Sequence, residues 1–269
     1  MKKYEIIYVV VVYRNTEDLL PLIKSINKFN LDFKIIVVNN YYDDESMKKC
    51  QKIALDKDCD FINVPNGGYG FGNNRGIEYA NQNYDYNFII ISNPDIEIKK
   101  FKLDAITELD NSVIGPIITT KMVKYQNPYW LFNNRISEWL IYKGYLIKKR
   151  MIVYLGIALN KVIREIFLKY FMKSNKKQFK VFALHGSFII FPKKVINKIG
   201  LPYDEEMFLF AEEAHLAHLL KRHGVISHLT KSIEVLHKED GSVSVSDINE
   251  KNEVRKSVLL YYKKLKDMS

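Results

Sequence analysis

Asn93 and Asp95 stand one residue apart, on either side of Pro94. Two oxygen-bearing side chains at that spacing suit a hard divalent cation, Mg2+ or Mn2+, of the kind that is itself held by phosphate oxygens. The same three residues serve equally well as a polar turn after a core strand, and the motif alone does not choose. Upstream, residues 66–76 read Asn-Gly-Gly-Tyr-Gly-Phe-Gly-Asn-Asn-Arg-Gly, five glycines in eleven positions. Glycine there allows positive φ or a close backbone approach to a ligand. A helix starting inside the run would also offer free N–H groups to an anion. A glycine-rich turn without a ligand is the alternative. The spacing of Gly68, Gly70 and Gly72 is not that of a dinucleotide-binding loop, which follows the first strand. Further down the chain, carboxylates adjoin at Glu212-Glu213, His185 precedes Gly186-Ser187, and His237 precedes Gly241-Ser242.

The elements that must position these groups are legible from hydrophobic pattern. Residues 88–91 are Phe-Ile-Ile-Ile, an uninterrupted apolar run that reads as a strand buried on both faces. Pro94 cannot donate to a sheet ladder and holds Asn93 extended, so the strand ends there. Asn93 and Asp95 then lie at the carboxyl edge of a central strand, where open α/β sheets bind their ligands. Residues 6–13, 33–38 and 61–64 read as further strands. Between them a helix starts from Thr16 as N-cap and carries Leu19, Leu20, Ile23 and Ile26, and another spans about 44–55. Strand and helix in alternation are the signature of a parallel sheet. Residues 113–119, 181–191 and 226–236 continue the strand character, with Gly186 marking a bulge or a close approach. Short helices follow Pro192 and Phe210.

The composition bounds the partners. Of 269 residues, 47% are hydrophobic, enough for a sizeable core. Lys and Arg outnumber Asp and Glu by 41 to 31, giving +10, which favours anionic partners without choosing among them. Cys50 and Cys59 read as reduced thiols of a cytosolic protein. The apolar run after Met1-Lys2-Lys3 lacks a cleavage site and reads as a strand, not a signal peptide. No stretch reaches the roughly 20 apolar residues a membrane span needs. Within residues 129–180, Ile152, Leu155, Leu159, Val162, Ile163, Ile166, Phe167 and Tyr170 read as one helical face, with Lys161, Arg164, Lys169 and Lys173 on the rest and Lys148, Lys149 and Arg150 just upstream. This basic amphipathic helix is of the type that lies at an anionic membrane interface; a helix packed on the domain with a solvated basic face is the alternative. Residues 249–266 form another.

Taken together, the order of these motifs resembles the family 2 glycosyltransferases of GT-A fold, particularly the branch of bacterial rhamnosyltransferase-like and galactofuranosyltransferase-like enzymes. The resemblance covers nearly the whole chain except about residues 125–180. It implies an α/β architecture, a Rossmann-like, mostly parallel central sheet flanked by helices. Residues 1–269 would form one catalytic domain: a nucleotide-sugar half over 1–100, an acceptor half over 101–245 with the helical insert at about 129–180, and a C-terminal helix over 246–269. Tyr13, Asn15, Asn39 and Asn40 resemble the nucleotide-contacting ends of the first two strands. Asn66, Gly67, Gly68, Gly72, Asn73 and Arg75 match the family's glycine-rich stretch beside the donor. Asn93-Pro94-Asp95 stands where the family carries its metal motif, with Asp95 as ligand and Asn93 assisting. His237, with Gly241 and Ser242, resembles the closing element whose histidine completes the metal site. His185, Gly186 and Ser187 resemble the acceptor-side strand, and Glu212-Glu213 the motif whose second member is the base. Two positions depart: Asn39 stands where an Asp is usual, weakening a charged contact to the base of the nucleotide, and His215 replaces a carboxylate.

The implied activity is an inverting, metal-dependent hexosyl transfer. The donor would be a UDP- or dTDP-linked sugar with Mn2+ or Mg2+, and the acceptor a glycan or a polyprenyl-diphosphate-linked one in bacterial surface polysaccharide assembly. The chain would sit peripherally on the inner face of the cell membrane. A sugar nucleotidyltransferase would need a glycine-rich basic loop directly after the first strand, and Tyr13-Arg14-Asn15-Thr16 does not supply one. A nucleic-acid-binding protein would account for the +10, yet the charge gathers around an apolar-faced helix and not in a recognisable binding module.

Overall fold

The computed structural model describes residues 1–239 and 250–267. Gly241 and Ser242 lie outside the described residues. The strands are β1 (Lys2–Val12), β2 (Phe33–Asn40), β3 (Asp60–Val64), β4 (Tyr84–Ser92), β5 (Ile96–Phe101), β6 (Ser112–Thr120), β7 (Gln178–Val181), β8 (Phe188–Pro192) and β9 (Ile226–His237). The helices are α1 (Leu19–Ile26), α2 (Asp44–Asp56), α3 (Tyr69–Asn83), α4 (Asp104–Thr107), α5 (Arg135–Leu146), α6 (Arg150–Lys173), α7 (Lys193–Ile199), α8 (Glu212–Arg222) and α9 (Glu250–Asp267).

One nine-stranded sheet runs β3-β2-β1-β4-β8-β6-β9-β5, with β7 also on β9. β1 to β4 are parallel, as the strand–helix alternation requires. β8 enters antiparallel between β4 and β6, and β5 and β7 pair antiparallel with opposite halves of β9. The stretch read as one broken strand over 181–191 is therefore two strands on different neighbours, separated by the polar turn at 185–187.

The sheet is covered on both sides, which is why β1 and β4 tolerate no polar alternation. Ile6, Tyr8, Val10, Phe88 and Ile90 pack on α1 and α2 with Leu19, Leu22, Ile26, Cys50 and Ala54. Ile7, Val9, Ile89 and Ile91 face the other way, onto Ile77 of α3 and Leu216 and Leu220 of α8. Cys50 and Cys59 are buried free thiols. The first helix does not use Thr16 as its cap: it starts at Leu19 from Asp18, with no side-chain cap, while Asp43 caps α2 by accepting from the Ser46 N–H at 2.8 Å.

The glycine-rich run sets α3 against the sheet. A Cβ on Gly76 would meet Val9 at 2.3 Å, and one on Gly72 would meet Asn40 Oδ1 at 2.7 Å. Gly68 caps the helix at φ 96°, and a Cβ there would sit 2.0 Å from the Phe208 carbonyl oxygen. Both the positive φ and the backbone collision forbid a side chain, so Gly68→Ala is expected to destabilise by about 2–4 kcal/mol. The measurement is the midpoint of urea unfolding; an unchanged midpoint would refute this account of the loop.

Candidate active site

β4 ends at Ser92, whose partner across the antiparallel ladder is Phe188. The next bond in that direction joins the Asn93 N–H to the Ser187 carbonyl at 2.9 Å. Strand pairing thus sets Asn93-Pro94-Asp95 directly against His185-Gly186-Ser187. On the other side, β5 pairs with β9 in a register that places Ile96 opposite His237. The Lys238 N–H donates to the Asp95 carbonyl at 3.0 Å, which fixes the two chain ends together.

Asp95 is 1% exposed, and its Oδ2 lies 3.2 Å from His237 Nε2. The contact lacks hydrogen-bond alignment, so Asp95 Oδ2 is a buried oxygen without a hydrogen-bond partner, as is Asn93 Oδ1. His237 Nδ1 sits 2.7 Å from Gln126 Oε1, and the Gln126 amide donates to Glu239 Oε1 at 2.9 Å. Because the amide nitrogen is taken by Glu239, Oε1 must face the ring and accept from Nδ1–H. In the neutral form that ligates a metal, the ring would present its Nε2 lone pair beside a carboxylate oxygen, and an imidazole oriented through its far nitrogen is the usual arrangement of a metal-ligating histidine. The residues fit a divalent metal. Among the described residues no group of three or more His, Cys, Asp or Glu side chains could hold one. Remaining positions would therefore be left for phosphate oxygens and water, as for Mg2+ bound mainly through a substrate.

Glu212 and Glu213 open α8 after two strained residues, Phe210 at φ 73° and Ala211 at φ 69°. Neither is glycine, and such left-handed positions cost of order 1–3 kcal/mol each, a strain that gathers at functional sites. Glu213 Oε1 accepts from the Gly186 N–H at 3.3 Å, and the Tyr69 hydroxyl donates to the Gly186 carbonyl at 2.8 Å. Glu212 is 6% exposed and its Oε1 has no hydrogen-bond partner. Burial raises the pKa of both carboxyls; the charge of Glu213 adds to the rise at Glu212, and the Gly186 N–H opposes it at Glu213. Burial, and next the adjoining His237, push His185 down to about 3, so its ring is neutral. That ring lies 5.7 Å from His237 and 6.3 Å from Tyr129, centroid to centroid.

A cavity of about 400 Å3 is lined by Asn93, His185, Gly186, Ser187, Glu212 and Glu213, with Trp130, Ile141, Tyr145 and Ile157 of the helical insert on its wall; of the Asn93–Asp95 corner only Asn93 reaches it. A second groove, of about 460 Å3, lies past the ends of β1 and β2 and contains Asn15. At its edge the Tyr13 ring packs edge-on to Tyr42 at 5.7 Å, and Arg14 stacks over Tyr42 at 4.1 Å.

Several residues expected at the donor also make contacts within the protein. Arg75 pairs with Glu78 at 2.7 Å and with Glu205, so its guanidinium braces α3 against the 203–205 loop. Asn39 is buried and donates to Asn63 at 2.7 Å; Asn40 donates to the Gly68 carbonyl at 2.9 Å and Asn73 to the Tyr69 carbonyl at 3.0 Å. Asn66 Oδ1 accepts from Gly68 N–H at 3.3 Å. Space for a Cβ at Gly67, Gly68 and Gly72 is filled by Phe71, Phe208 and Asn40. These contacts shape the loop and set α3 against the sheet and the 203–208 segment, while Asn40 Oδ1, Asn73 Oδ1 and Arg75 Nε keep no hydrogen-bond partner. Gln126, Glu239, Tyr42 and Glu138 are absent from the sequence-level site. Glu138 accepts from the Tyr261 hydroxyl and meets His218 at 3.0 Å, tying α5, α8 and α9 at the cavity wall. Gln126, Tyr42 and Glu239 are single polar residues outside the regular elements, and Glu138 is one carboxylate in the first turn of α5, so none carries a periodic signal that would mark it.

A model of glycosyl transferase family 2 matches residues 8–200. The chain belongs to that family. This family 2 chain is 21% identical over 240 residues to the low-salt glycan biosynthesis hexosyltransferase Agl10 of Haloferax volcanii, covering 86% of its own length and 66% of the relative's. Its fold is similar to that of GalNAc-T7, crystallised with UDP, GalNAc and Mn2+ (TM-score 0.61, 11% identity, 89% of this chain and 44% of that one). It is similar too to S. aureus TarS (TM-score 0.55, 13% identity, 93% and 41%). The chain thus spans about two thirds of the curated relative and under half of either structure. The mixed α/β sheet flanked by helices is the GT-A-type architecture expected from the sequence.

Proposed function

We propose that this family 2 chain moves a hexosyl group from a nucleoside diphosphate sugar to a hydroxyl of a glycan acceptor, with inversion at the anomeric carbon. The observation that carries the reading is that residues 185–187 link the two ends of the site, Ser187 accepting from the Asn93 N–H next to the Asp95–His237 pair and Gly186 donating to Glu213, with Asn93 and Glu213 lining one cavity. Asp95 and His237 would hold Mn2+ or Mg2+, with Asn93 beside them. When bound, that ion offsets the charge that grows on the departing diphosphate. Tyr13, Asn15 and the Arg14–Tyr42 stack at the second groove suit the base and ribose of a UDP- or dTDP-linked donor. Glu213 takes the acceptor hydroxyl's proton on its carboxylate oxygen, and the Gly186 N–H orients that carboxylate. Glu212 faces the same space and orders acceptor hydroxyls. One base on one side of the sugar gives direct displacement, hence inversion. The aromatic and apolar far wall suits an acceptor carried on a lipid, as in surface-glycan assembly at the inner face of a cell membrane.

The test is a panel of nucleotide sugars with Mn2+ or Mg2+, scored for release of nucleoside diphosphate with and without acceptor. Metal-dependent release from one donor class is the expected result; no release from any, or release insensitive to chelation, overturns the reading. Gln126→Ala is expected to weaken Mn2+ binding in the presence of nucleoside diphosphate by about 10–100-fold. Loss of the Nδ1–H acceptor frees the His237 ring, which titration calorimetry would read directly; unchanged affinity refutes this role.

A further inference from the structure

α6 is a 24-residue helix, about 36 Å long, that buries Val153, Gly156, Phe167, Leu168 and Phe171 against the domain. Phe167, which sequence spacing put on one face with Leu155 and Tyr170, belongs to this buried side. With successive residues about 100° apart, Met151, Leu155, Leu159, Val162, Ile166 and Tyr170 form a stripe on the opposite side. Every one is exposed, Met151 by 81%, Val162 by 57%, Ile166 by 65% and Tyr170 by 63%. On α5, Ile136 and Trp139 are exposed as well. The two helices approach closely at Gly144 and Gly156, where a Cβ would meet Val153 at 2.6 Å and Ser137 and Ile141 at 2.8 Å. A continuous apolar strip of this length left in water marks a docking surface.

The charges around it select the occupant. Lys148, Lys149 and Arg150 are exposed at one end, Lys169 and Lys173 near the other. The one carboxylate of α6, Glu165, meets its neighbour Arg164 at 3.2 Å. Packed on a second copy in either direction, the stripe would bring cations against cations, which disfavours self-association. An anionic bilayer surface accepts both parts, the stripe among acyl chains and headgroups and the lysines against lipid charge. Trp139 and Tyr170 have the amphipathic rings that settle at that depth.

We propose that α6, with the edge of α5, seats this chain on an anionic bilayer through the Met151–Tyr170 stripe. This deepens the reading of a lipid-carried acceptor, because Ile157 of the same helix lines the cavity. It stands on the exposure of α6 and not on the transfer chemistry.

The experiment is flotation of the whole chain with vesicles of phosphatidylglycerol and phosphatidylcholine, against phosphatidylcholine alone, at low and high salt. Wild type is expected to float with the anionic vesicles and to be released by salt. Val162→Asp with Ile166→Asp should lower the partition coefficient by about tenfold or more, the stripe residues being worth that much when buried. Leu55→Asp, exposed on α2 away from the stripe, is the control that keeps floating. Circular dichroism and nucleoside diphosphate release without vesicles separate a folding or catalytic failure from a docking failure. Wild type that stays unbound to anionic vesicles overturns the proposal, and so does a stripe variant that floats as wild type does. A dimer dissolved by the same two substitutions, with no flotation, assigns the surface to a second copy instead.

Discussion

Glu213→Gln is expected to lower kcat for sugar transfer by about 10^2–10^4-fold, the span a positioned general base supplies, with little change in donor KM. The amide keeps the size and still accepts from the Gly186 N–H, so the cavity and the 185–187 turn survive. What is lost is a carboxylate able to take the acceptor's proton. Steady-state kinetics with saturating acceptor measures it, and a variant retaining wild-type kcat would remove Glu213 from the mechanism. The pH dependence sharpens the test. Burial raises the pKa of Glu213, so transfer should fall away as pH drops through a value above the ordinary carboxylate range. The sign for stability is opposite. A carboxyl that holds its proton more tightly folded than unfolded contributes stability that is complete below about pH 4 and is lost as pH rises through the raised value. Wild type should therefore melt higher on the acid side of this window than on the alkaline side, and Glu212→Gln with Glu213→Gln should shrink the difference. A wild-type melting temperature that rises with pH across this window, or a double variant that loses as much as wild type does, would contradict the burial account of both groups.

Asp95→Ala is expected to reduce both donor hydrolysis and transfer by about 10^3-fold or more, since charge neutralisation by a Lewis acid is worth several kcal/mol. The effect should exceed that of Gln126→Ala, because Asp95 is proposed as a ligand and Gln126 only orients one. Added Mn2+ should not rescue it. Asp95→Asn tests the geometry without emptying the space: its amide can donate to a neutral His237 Nε2 across the 3.2 Å contact, without the carboxylate's charge. That variant should lose activity while its melting temperature equals or exceeds wild type, the exchange of stability for function found at active sites. Full metal-dependent turnover by Asp95→Ala would take the metal away from this corner of the sheet.

The chain sequence by itself determined the parallel half of the sheet, β1 to β4, and its carboxyl edge. Runs such as Val9–Val12 and Phe88–Ile91, apolar at every position, can be satisfied only with cover on both faces, and Pro94 can only end a ladder. Those are local constraints, so they are readable residue by residue, and they put Asn93 and Asp95 at the rim. Tertiary structure alone decided who meets whom there. The register of β5 on β9 brings His237 from 142 positions away onto Asp95, and only then do Gln126 and Glu239 acquire a purpose. The glycines of residues 66–76 read as positions of positive φ or close backbone approach, and the neighbours that approach at Gly67, Gly68, Gly72 and Gly76 are Phe71, Phe208, Asn40 and Val9. Arg75 likewise found carboxylates at Glu78 and Glu205. On α6 the spacing of apolar residues was plain, but periodicity fixes only that a face exists. Which arc is buried depends on where the helix lies against its neighbours, and that left Leu155, Val162, Ile166 and Tyr170 facing outward.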